Sequence, residues 1–120
     1  LGLASTSCEQ KSPEEIRATL HLPAPGYAAN VDSGRTAFRT YCSTCHGRSG
    51  GGSSSGPPLV HKTYEPSHHP DAAFHLAVKN GVQQHHWNFG NMPPQPGVSA
   101  ESTADIAAYI RYRQQLAGIR

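Results

Sequence analysis

The sequence lacks long apolar runs and contains few hydrophobic residues overall. No stretch approaches the roughly 20 consecutive apolar residues that a membrane-spanning helix requires. Hydrophobic residues make up 36% of the 120 residues, beside 12 glycines and 10 prolines. A chain of this length forms one domain. This composition, however, provides few apolar side chains from which to build a hydrophobic core.

The chain also lacks a strong excess of charge of either sign. Ten Lys and Arg residues against eight Asp and Glu residues give a net charge of +2 with histidine neutral. Proteins that bind nucleic acid usually carry a strongly basic surface, so no nucleic acid partner is expected. The eight histidines matter more for charge, because histidine gains a proton as the pH falls through about 6.5.

Cysteine is scarce, and two of the three cysteines lie close together. Cys42 and Cys45 are separated by two residues, and His46 follows directly, giving Cys-Ser-Thr-Cys-His. This is the pattern for covalent attachment of a c-type haem. On a helical turn both sulfurs reach one edge of the porphyrin and form thioethers with its vinyl groups. His46 is then left beneath the ring to bind iron.

A redox dithiol and half of a zinc site use the same cysteine spacing. Zinc would need a second convincing pair of ligands, and a thioredoxin-like motif would need a preceding strand, and the sequence offers neither. Haem attachment is therefore favoured, and it also supplies the missing apolar core. It uses Cys42 and Cys45, so no internal disulfide is expected and Cys8 remains alone.

Residues 1–31 are predicted to form an N-terminal arm or tether. Ser12 is a typical N-cap, Pro13 suits the first helical position and Glu15 completes a capping box, so a short helix is expected. Prolines and a glycine within residues 23–26 end it. This segment has too few apolar residues to fold alone.

Covalent haem is installed outside the bacterial cytoplasm, so the protein is expected in the periplasm or otherwise outside the cytoplasm, behind a signal sequence. Residues 1–8 fit the tail of such a signal, and Cys8 then resembles the lipid-modified cysteine of a bacterial lipoprotein. Ser5 counts against this, since such signals usually carry Leu there. An unpaired surface thiol and an intermolecular link are the alternatives. Association with a membrane is expected only through lipid on Cys8.

Residues 32–120 are predicted to form the haem domain. Asp32 or Ser33 is expected to cap a helix that runs through Gly34 and Phe38 into the cysteines. A small residue and a large residue four positions apart lie on one face, as needed where another helix crosses closely.

Two further helices are expected in this domain. Pro70 begins one, and Gly81 stands just past its end. Ser99 caps the last helix of the chain. Their apolar faces are formed by Phe74, Ala77 and Val78 in the first and by Ile106, Tyr109 and Ile110 in the second.

A ligating histidine needs its second ring nitrogen held by an acceptor. Proline carbonyls shortly after His46, at Pro57 and Pro58, are the candidates. The Gly-rich segment 47–56 before them does not resemble a phosphate-binding loop, since no Lys-Ser/Thr pair opens a helix after it.

Residues 82–97 form a long Pro-rich loop, and loops of this length are usually functional. The loop contains Met92, the single methionine of the chain. A lone methionine usually fills space in the hydrophobic core. Met92 lies in a loop, however, and is not part of the apolar face of a predicted helix.

With these residues assembled, the chain resembles class I cytochromes c, small electron carriers, from about Asp32 to Leu116. The resemblance extends well beyond the two cysteines and the histidine. Four motifs carry it in the family's order: Gly34 and Phe38 before the first cysteine, Gly-Pro-Pro-Leu at residues 56–59, Asn-Met-Pro at residues 91–93 and Asp-Ile-Ala-Ala-Tyr-Ile at residues 105–110.

The resemblance implies an all-α cytochrome c fold, with three to five helices around one covalently bound haem and the first and last helices of the core crossing. It implies one haem c attached through Cys42 and Cys45, with His46 and Met92 as axial ligands of the iron.

The resemblance also assigns two residues near the haem. The carbonyl of Pro57 would receive the Nδ1 proton of His46, and Leu59 would touch the haem. Tyr64 and Trp87 are our own candidates for hydrogen bonds to the haem propionates, with a simple place in the core as the alternative for each.

Iron ligated on both sides has no open position, which favours electron transfer over catalysis. The chain is therefore predicted to be an electron carrier rather than an enzyme, shuttling between transient redox protein partners. Such encounters are small and short-lived. The alternative is a haem subunit of a larger membrane or periplasmic oxidoreductase.

Two pairs of histidines, at residues 68–69 and 85–86, are no part of the family pattern. Three alternatives involve them or the iron. His85 or His86 would replace Met92 as the sixth ligand in a low-potential cytochrome. His68, His69, His85 and His86 would bind copper or zinc in a metal-linked redox protein. A five-coordinate iron would serve a peroxidase or a gas sensor.

Overall fold

The computed structural model describes Gly2 and residues 9–120, and in these residues it is all-α. The helices are α1 (Pro13–Thr19), α2 (Val31–Tyr41), α3 (Ser43–His46), α4 (Asp71–Asn80) and α5 (Ala100–Leu116), with a short 3₁₀ turn at Lys62–Tyr64. The predicted all-α fold is confirmed. The predictions for Cys8, a lipid anchor or a free thiol, lie outside the described residues.

Most helix boundaries follow the local capping signals. The Ser12 side chain accepts a hydrogen bond from the Glu15 amide at 3.2 Å, and that of Ser99 accepts one from the Ser102 amide at 3.0 Å. Pro70 and Gly81 flank α4 as expected. Gly81 has a φ of 75°, a left-handed conformation that glycine adopts without steric cost.

The predicted cap of α2 is wrong. The N-cap is Asn30, whose side chain accepts from the Ser33 amide at 2.8 Å. Asn30 has extended dihedral angles, as an N-cap needs. Asp32 instead lies in the first turn and pairs with Arg35 at 2.7 Å. Asparagine, aspartate and serine cap about equally well, so their proximity in the sequence could not decide between them.

The core forms where α2 crosses α5. Phe38 is fully buried, Tyr109 is 2% exposed, and their ring centroids lie 5.5 Å apart. A Cβ atom at Gly34 would overlap the carbonyl oxygen of Asp105, so only glycine allows the backbones to approach this closely. The crossing expected from Gly34 and Phe38 is confirmed.

The arm before α2 is held against the core by polar contacts. The Nζ of Lys79 donates to the carbonyls of Ala18 and Thr19 at 2.8 and 2.9 Å, at the end of α1. The hydroxyl of Tyr27 donates to the carboxylate of Asp105 in α5 at 3.0 Å. Because α1 contributes no buried residue, hydrogen bonds rather than a buried apolar face connect α1 to the core.

None of the helices that the structure describes is both long enough and apolar enough to span a membrane.

Candidate functional site

A cavity of about 390 Å³ lies beside the crossing of α2 and α5. Its apolar wall comes largely from α4 and α5. The cavity brings together seven of the eight residues that the sequence singles out: Cys42, His46, Pro57, Leu59, Tyr64, Trp87 and Met92. The eighth residue, Cys45, is exposed and does not line the cavity.

The cysteine motif forms a single helical turn. The amide of His46 donates to the carbonyl of Cys42 at 2.9 Å, so these two residues lie on the same side of the turn. Neither Cys42 nor Cys45 is in a disulfide. Burial raises the pKa of the Cys42 thiol to about 11, and the neighbouring Cys45 adds to this. A reactive redox dithiol needs a lowered thiol pKa, so the burial of Cys42 does not favour that alternative.

His46 is the buried histidine of the motif, with 8% of its surface exposed. Its Nδ1 lies 2.9 Å from the carbonyl oxygen of Pro57. A carbonyl can only accept, so Nδ1 must carry the hydrogen and Nε2 is left with a free lone pair. Burial lowers the pKa of His46, and the Pro57 carbonyl partly opposes this. A neutral imidazole with one nitrogen held in this way is suited to bind a metal through the other.

The residues between His46 and Pro57 form a hydrogen-bonded loop. The amide of Gly52 donates to the carbonyl of His46 at 2.7 Å, and the amide of Leu59 donates to that of Gly50 at 2.8 Å. These contacts fold the Gly-rich segment back on itself. They bring the Pro57 carbonyl within reach of the His46 ring.

Met92 is fixed against the end of α4. It forms an isolated antiparallel bridge with Val82, with hydrogen bonds of 2.9 and 2.8 Å. The amide of Gln95 donates to the carbonyl of Val78 in α4 at 2.7 Å. Val78, Val82 and Met92 all line the cavity. The long loop therefore presents its methionine to the same cavity as His46.

Tyr64 and Trp87 interact directly with each other. The Nε1 of Trp87 donates to the hydroxyl oxygen of Tyr64 at 3.0 Å. Burial raises the pKa of Tyr64, and the hydrogen bond from Trp87 partly opposes this. Indole has one donor, so Trp87 would have to exchange partners to bind a propionate, whereas Tyr64 keeps its hydroxyl hydrogen free. The assignment of both to the propionates stays a prediction.

Arg111 of α5 holds a segment that lines the cavity, a role that the sequence did not reveal. Its guanidinium donates to the carboxylate of Asp71 at 2.8 Å and to the backbone carbonyls of Tyr64 and His69. It also lies over the ring of Phe74 at 4.8 Å. Arg111 thus ties the segment from Tyr64 to His69 to two helices. In sequence it looks like any basic residue near the C-terminal end of a helix.

The four histidines outside the family pattern come together, and three of them, His69, His85 and His86, line this cavity. The rings of His68 and His69 are stacked at 4.9 Å, and those of His85 and His86 lie 4.1 Å apart. The ring of His69 lies 5.4 Å from that of His86. Desolvation and the rings of His85, His69 and His68 lower the pKa of His86.

Comparisons with known proteins agree with this architecture. A family model described as cytochrome c matches residues 31–114. Among solved structures, the fold is similar to that of cytochrome CL from the marine methylotrophic bacterium Methylophaga aminisulfidivorans MPT, with a TM-score of 0.53 and 22% sequence identity. That alignment covers 93% of this chain and 73% of the other chain. A comparison with curated proteins gave no match.

Proposed function

The chain belongs to the cytochrome c family, and we propose that it carries one electron on a single haem c, with His46 and Met92 as the axial ligands of the iron. The family implies electron transport on a covalently attached haem, and Cys42 and Cys45 are the cysteines available for the attachment. The observation that carries the ligand assignment is that one cavity is lined by both His46 and Met92. When bound, the haem supplies an iron that gains and loses a single electron.

The residues in the cavity fit a haem. The thiol of Cys42 is protonated and unpaired, Nε2 of His46 is free, and the thioether of Met92 lines the same space. Apolar side chains from α4 and α5, among them Phe74 and Ile106, complete the wall. Such a wall excludes water, as a buried porphyrin requires.

The chain sets the properties of the iron through its ligands. Pro57 fixes the tautomer of His46, which keeps the ring orientation and raises the basicity of Nε2. A thioether on the opposite side favours ferrous iron and raises the potential relative to a second imidazole. Two protein ligands leave no open position, so the role is that of an electron carrier rather than an enzyme.

We place the carrier outside the bacterial cytoplasm, where covalent haem is installed, and expect transient redox protein partners. The surface that contacts these partners would include Cys45 and Phe89, because both residues are exposed. Cys45 belongs to the haem attachment motif, and Phe89 lines the cavity. Small, short-lived contacts are typical of redox encounters. A permanent place in a larger oxidoreductase is the alternative for the same surface.

The test is an absorption spectrum of the purified holoprotein, oxidised and reduced, together with that of Met92→Ala. We expect c-type bands and, in the ferric protein, the weak far-red band of iron bonded to methionine sulfur. Met92→Ala should lose the far-red band and lower the potential.

Asn88→Ala is the matched control, since Asn88 is exposed in the same loop and should leave both properties unchanged. A far-red band that survives in Met92→Ala, or c-type bands without it in the parent protein, would overturn the His46 and Met92 assignment. His85, His86 or an open iron site would then be the next candidates.

A further inference from the structure

We propose that His68, His69 and His86 form a binding site for a divalent transition metal of the zinc type at the rim of the cavity. One ring nitrogen of each histidine lies within 4.8 Å of those of the other two. The three residues come from two loops that are distant in sequence, so the fold rather than local spacing creates the cluster. The site uses neither His46 nor Met92, the proposed axial ligands of the haem.

The geometry is close to that of a three-histidine zinc site. Zinc–nitrogen bonds of about 2.0–2.1 Å in a tetrahedron put neighbouring nitrogens about 3.4 Å apart. His68 and His86 are exposed, so small rotations of their side chains close the remaining gap. Three imidazoles with water in the fourth position are a common zinc coordination.

His69 is the fixed member of the cluster. Its Nδ1 donates to the carbonyl of Thr63 at 2.7 Å, which leaves Nε2 free for a metal. Arg111 donates to the carbonyl of His69 itself, so the backbone here is tied to α5. Metal-ligating histidines almost always have a second-nitrogen partner of this kind, and solvated surface histidines have no need of one.

His85 lies beside the site but is not one of the three histidines whose nitrogens come within 4.8 Å of one another. Its Nδ1 donates to the carbonyl of Gln83 at 2.9 Å, and its ring lies 4.1 Å from that of His86. The three-histidine site therefore does not include His85, and water is expected in the fourth position.

The donor set selects the class of metal. The group contains imidazoles and neither carboxylate nor thiolate. Calcium and magnesium prefer oxygen ligands, and Cu(I) prefers sulfur. Imidazole suits Zn²⁺, Cu²⁺ and Ni²⁺, and Zn²⁺ is the most informative probe because it has no redox chemistry of its own.

A consequence of the site rests on the proposed function. His69, His85 and His86 line the cavity, so a divalent charge bound there lies beside the redox group. Positive charge favours the reduced state, which carries one more electron, so Zn²⁺ should raise the potential. By reciprocity, the reduced protein should bind Zn²⁺ more tightly than the oxidised protein. A tenfold preference corresponds to about 59 mV for a one-electron couple.

The primary experiment is calorimetric titration of the purified holoprotein with Zn²⁺, at a pH where the histidines are neutral because ligands must be deprotonated. We expect one equivalent of bound Zn²⁺. His69→Gln and His86→Gln should each weaken binding by at least about 10-fold, the loss typical of removing even an outer-shell partner. Unchanged far-ultraviolet circular dichroism would show that the variants remain folded.

His61→Asn is the matched control. His61 lies near the cluster, with its ring 5.1 Å from that of Trp87, but it is not a member. Its Nδ1 accepts from the Thr63 amide at 3.0 Å, and asparagine can replace this capping acceptor. The control should bind Zn²⁺ as the parent protein does.

The proposed site would be overturned if the parent protein did not bind Zn²⁺ or if His86→Gln bound it as tightly as the parent. It would also be overturned if His61→Asn weakened Zn²⁺ binding as much as His86→Gln does. The potential is then measured with and without Zn²⁺ in the parent protein and in His86→Gln. A rise confined to the parent supports the linkage, and a bound metal with an unmoved potential overturns the linkage alone. Calorimetry does not require His46 and Met92 to be the iron ligands, so failure of the site and failure of the proposed function are distinguishable.

Discussion

Gly34 of α2 faces Tyr109 of α5 so closely that a Cβ atom on the glycine would lie 3.0 Å from the Cβ of the tyrosine. The same atom would overlap the carbonyl oxygen of Asp105. The close approach buries Phe38 against Tyr109, and this pair belongs to the core cluster that supports one side of the cavity.

Gly34→Ala should destabilise the protein by about 1–3 kcal/mol or more, the usual cost of forcing extra atoms into a packed interior. Because the obstacle is backbone, the helices themselves must move apart. The measurement is urea unfolding of the holoprotein. Gly51→Ala is the control, since a Cβ there meets nothing within 4 Å. Equal unfolding midpoints for the two variants would contradict the close crossing.

Cys45→Ala should leave at most one thioether and greatly lower the yield of holoprotein. The readout is haem that stays with the polypeptide in a denaturing gel. Thr44→Ala serves as the control, because Thr44 lies within the motif, is exposed and carries no thiol. Haem retention equal to that of Thr44→Ala would show that Cys45 does not form a covalent link.

Asp105→Ala should loosen the contacts that Tyr27 and Asn30 make with α5. The carboxylate accepts from the Asn30 amide at 2.9 Å and from the Tyr27 hydroxyl, and loss of such a buried acceptor costs about 1–3 kcal/mol. Hydrogen exchange at the Asn30 amide should accelerate. Glu101→Ala, an exposed change on the same helix, should leave that exchange rate unaltered, and similar rates in both variants would argue against the contact.

His75 should make stability fall as the pH is lowered. Burial lowers the pKa of His75, the positive charge of His21 also lowers it, and the His21 carbonyl and Asp71 act in the opposite direction. The unfolded chain therefore takes up the proton first. The contribution of neutral His75 to the free energy of unfolding is fully present above the ordinary histidine pKa of about 6.5. It is lost as the pH falls through the lowered pKa of His75 in the folded protein.

The measurement is the free energy of unfolding of the parent protein and of His75→Gln from neutral to mildly acidic pH. Glutamine can keep a donor toward the His21 carbonyl, which His75 Nδ1 contacts at 2.6 Å, but it does not titrate. The parent protein should lose more stability than the variant on acidification. Parallel curves would show that His75 is not responsible.

Local signals in the sequence were enough for much of the helical framework. Pro70 and Gly81 bound α4, and Ser99 caps α5, as expected from capping preferences alone. The cap of α2 was misjudged, because three neighbouring residues have similar capping ability and the carboxylate of Asp32 found a partner in Arg35 instead.

The candidate site also has some features that the sequence predicts and others that it does not. The cysteine motif depends on spacing along a short stretch, and the contact between His46 and Pro57 agrees with what the family resemblance implies. The hydrogen bond between Trp87 and Tyr64 joins two loops, and nothing in either loop signals the other.

The sequence by itself determined most helix caps and the haem attachment motif, because each depends on residues a few positions apart, and it indicated the family and its helical fold through four short motifs in a fixed order. Tertiary structure alone decided that Arg111 ties the segment from Tyr64 to His69 to α5 and that two pairs of histidines meet. These contacts join residues whose separation along the chain carries no periodic signal. They depend on the packing of α4 against α5 and on the positions of the loops before and after α4.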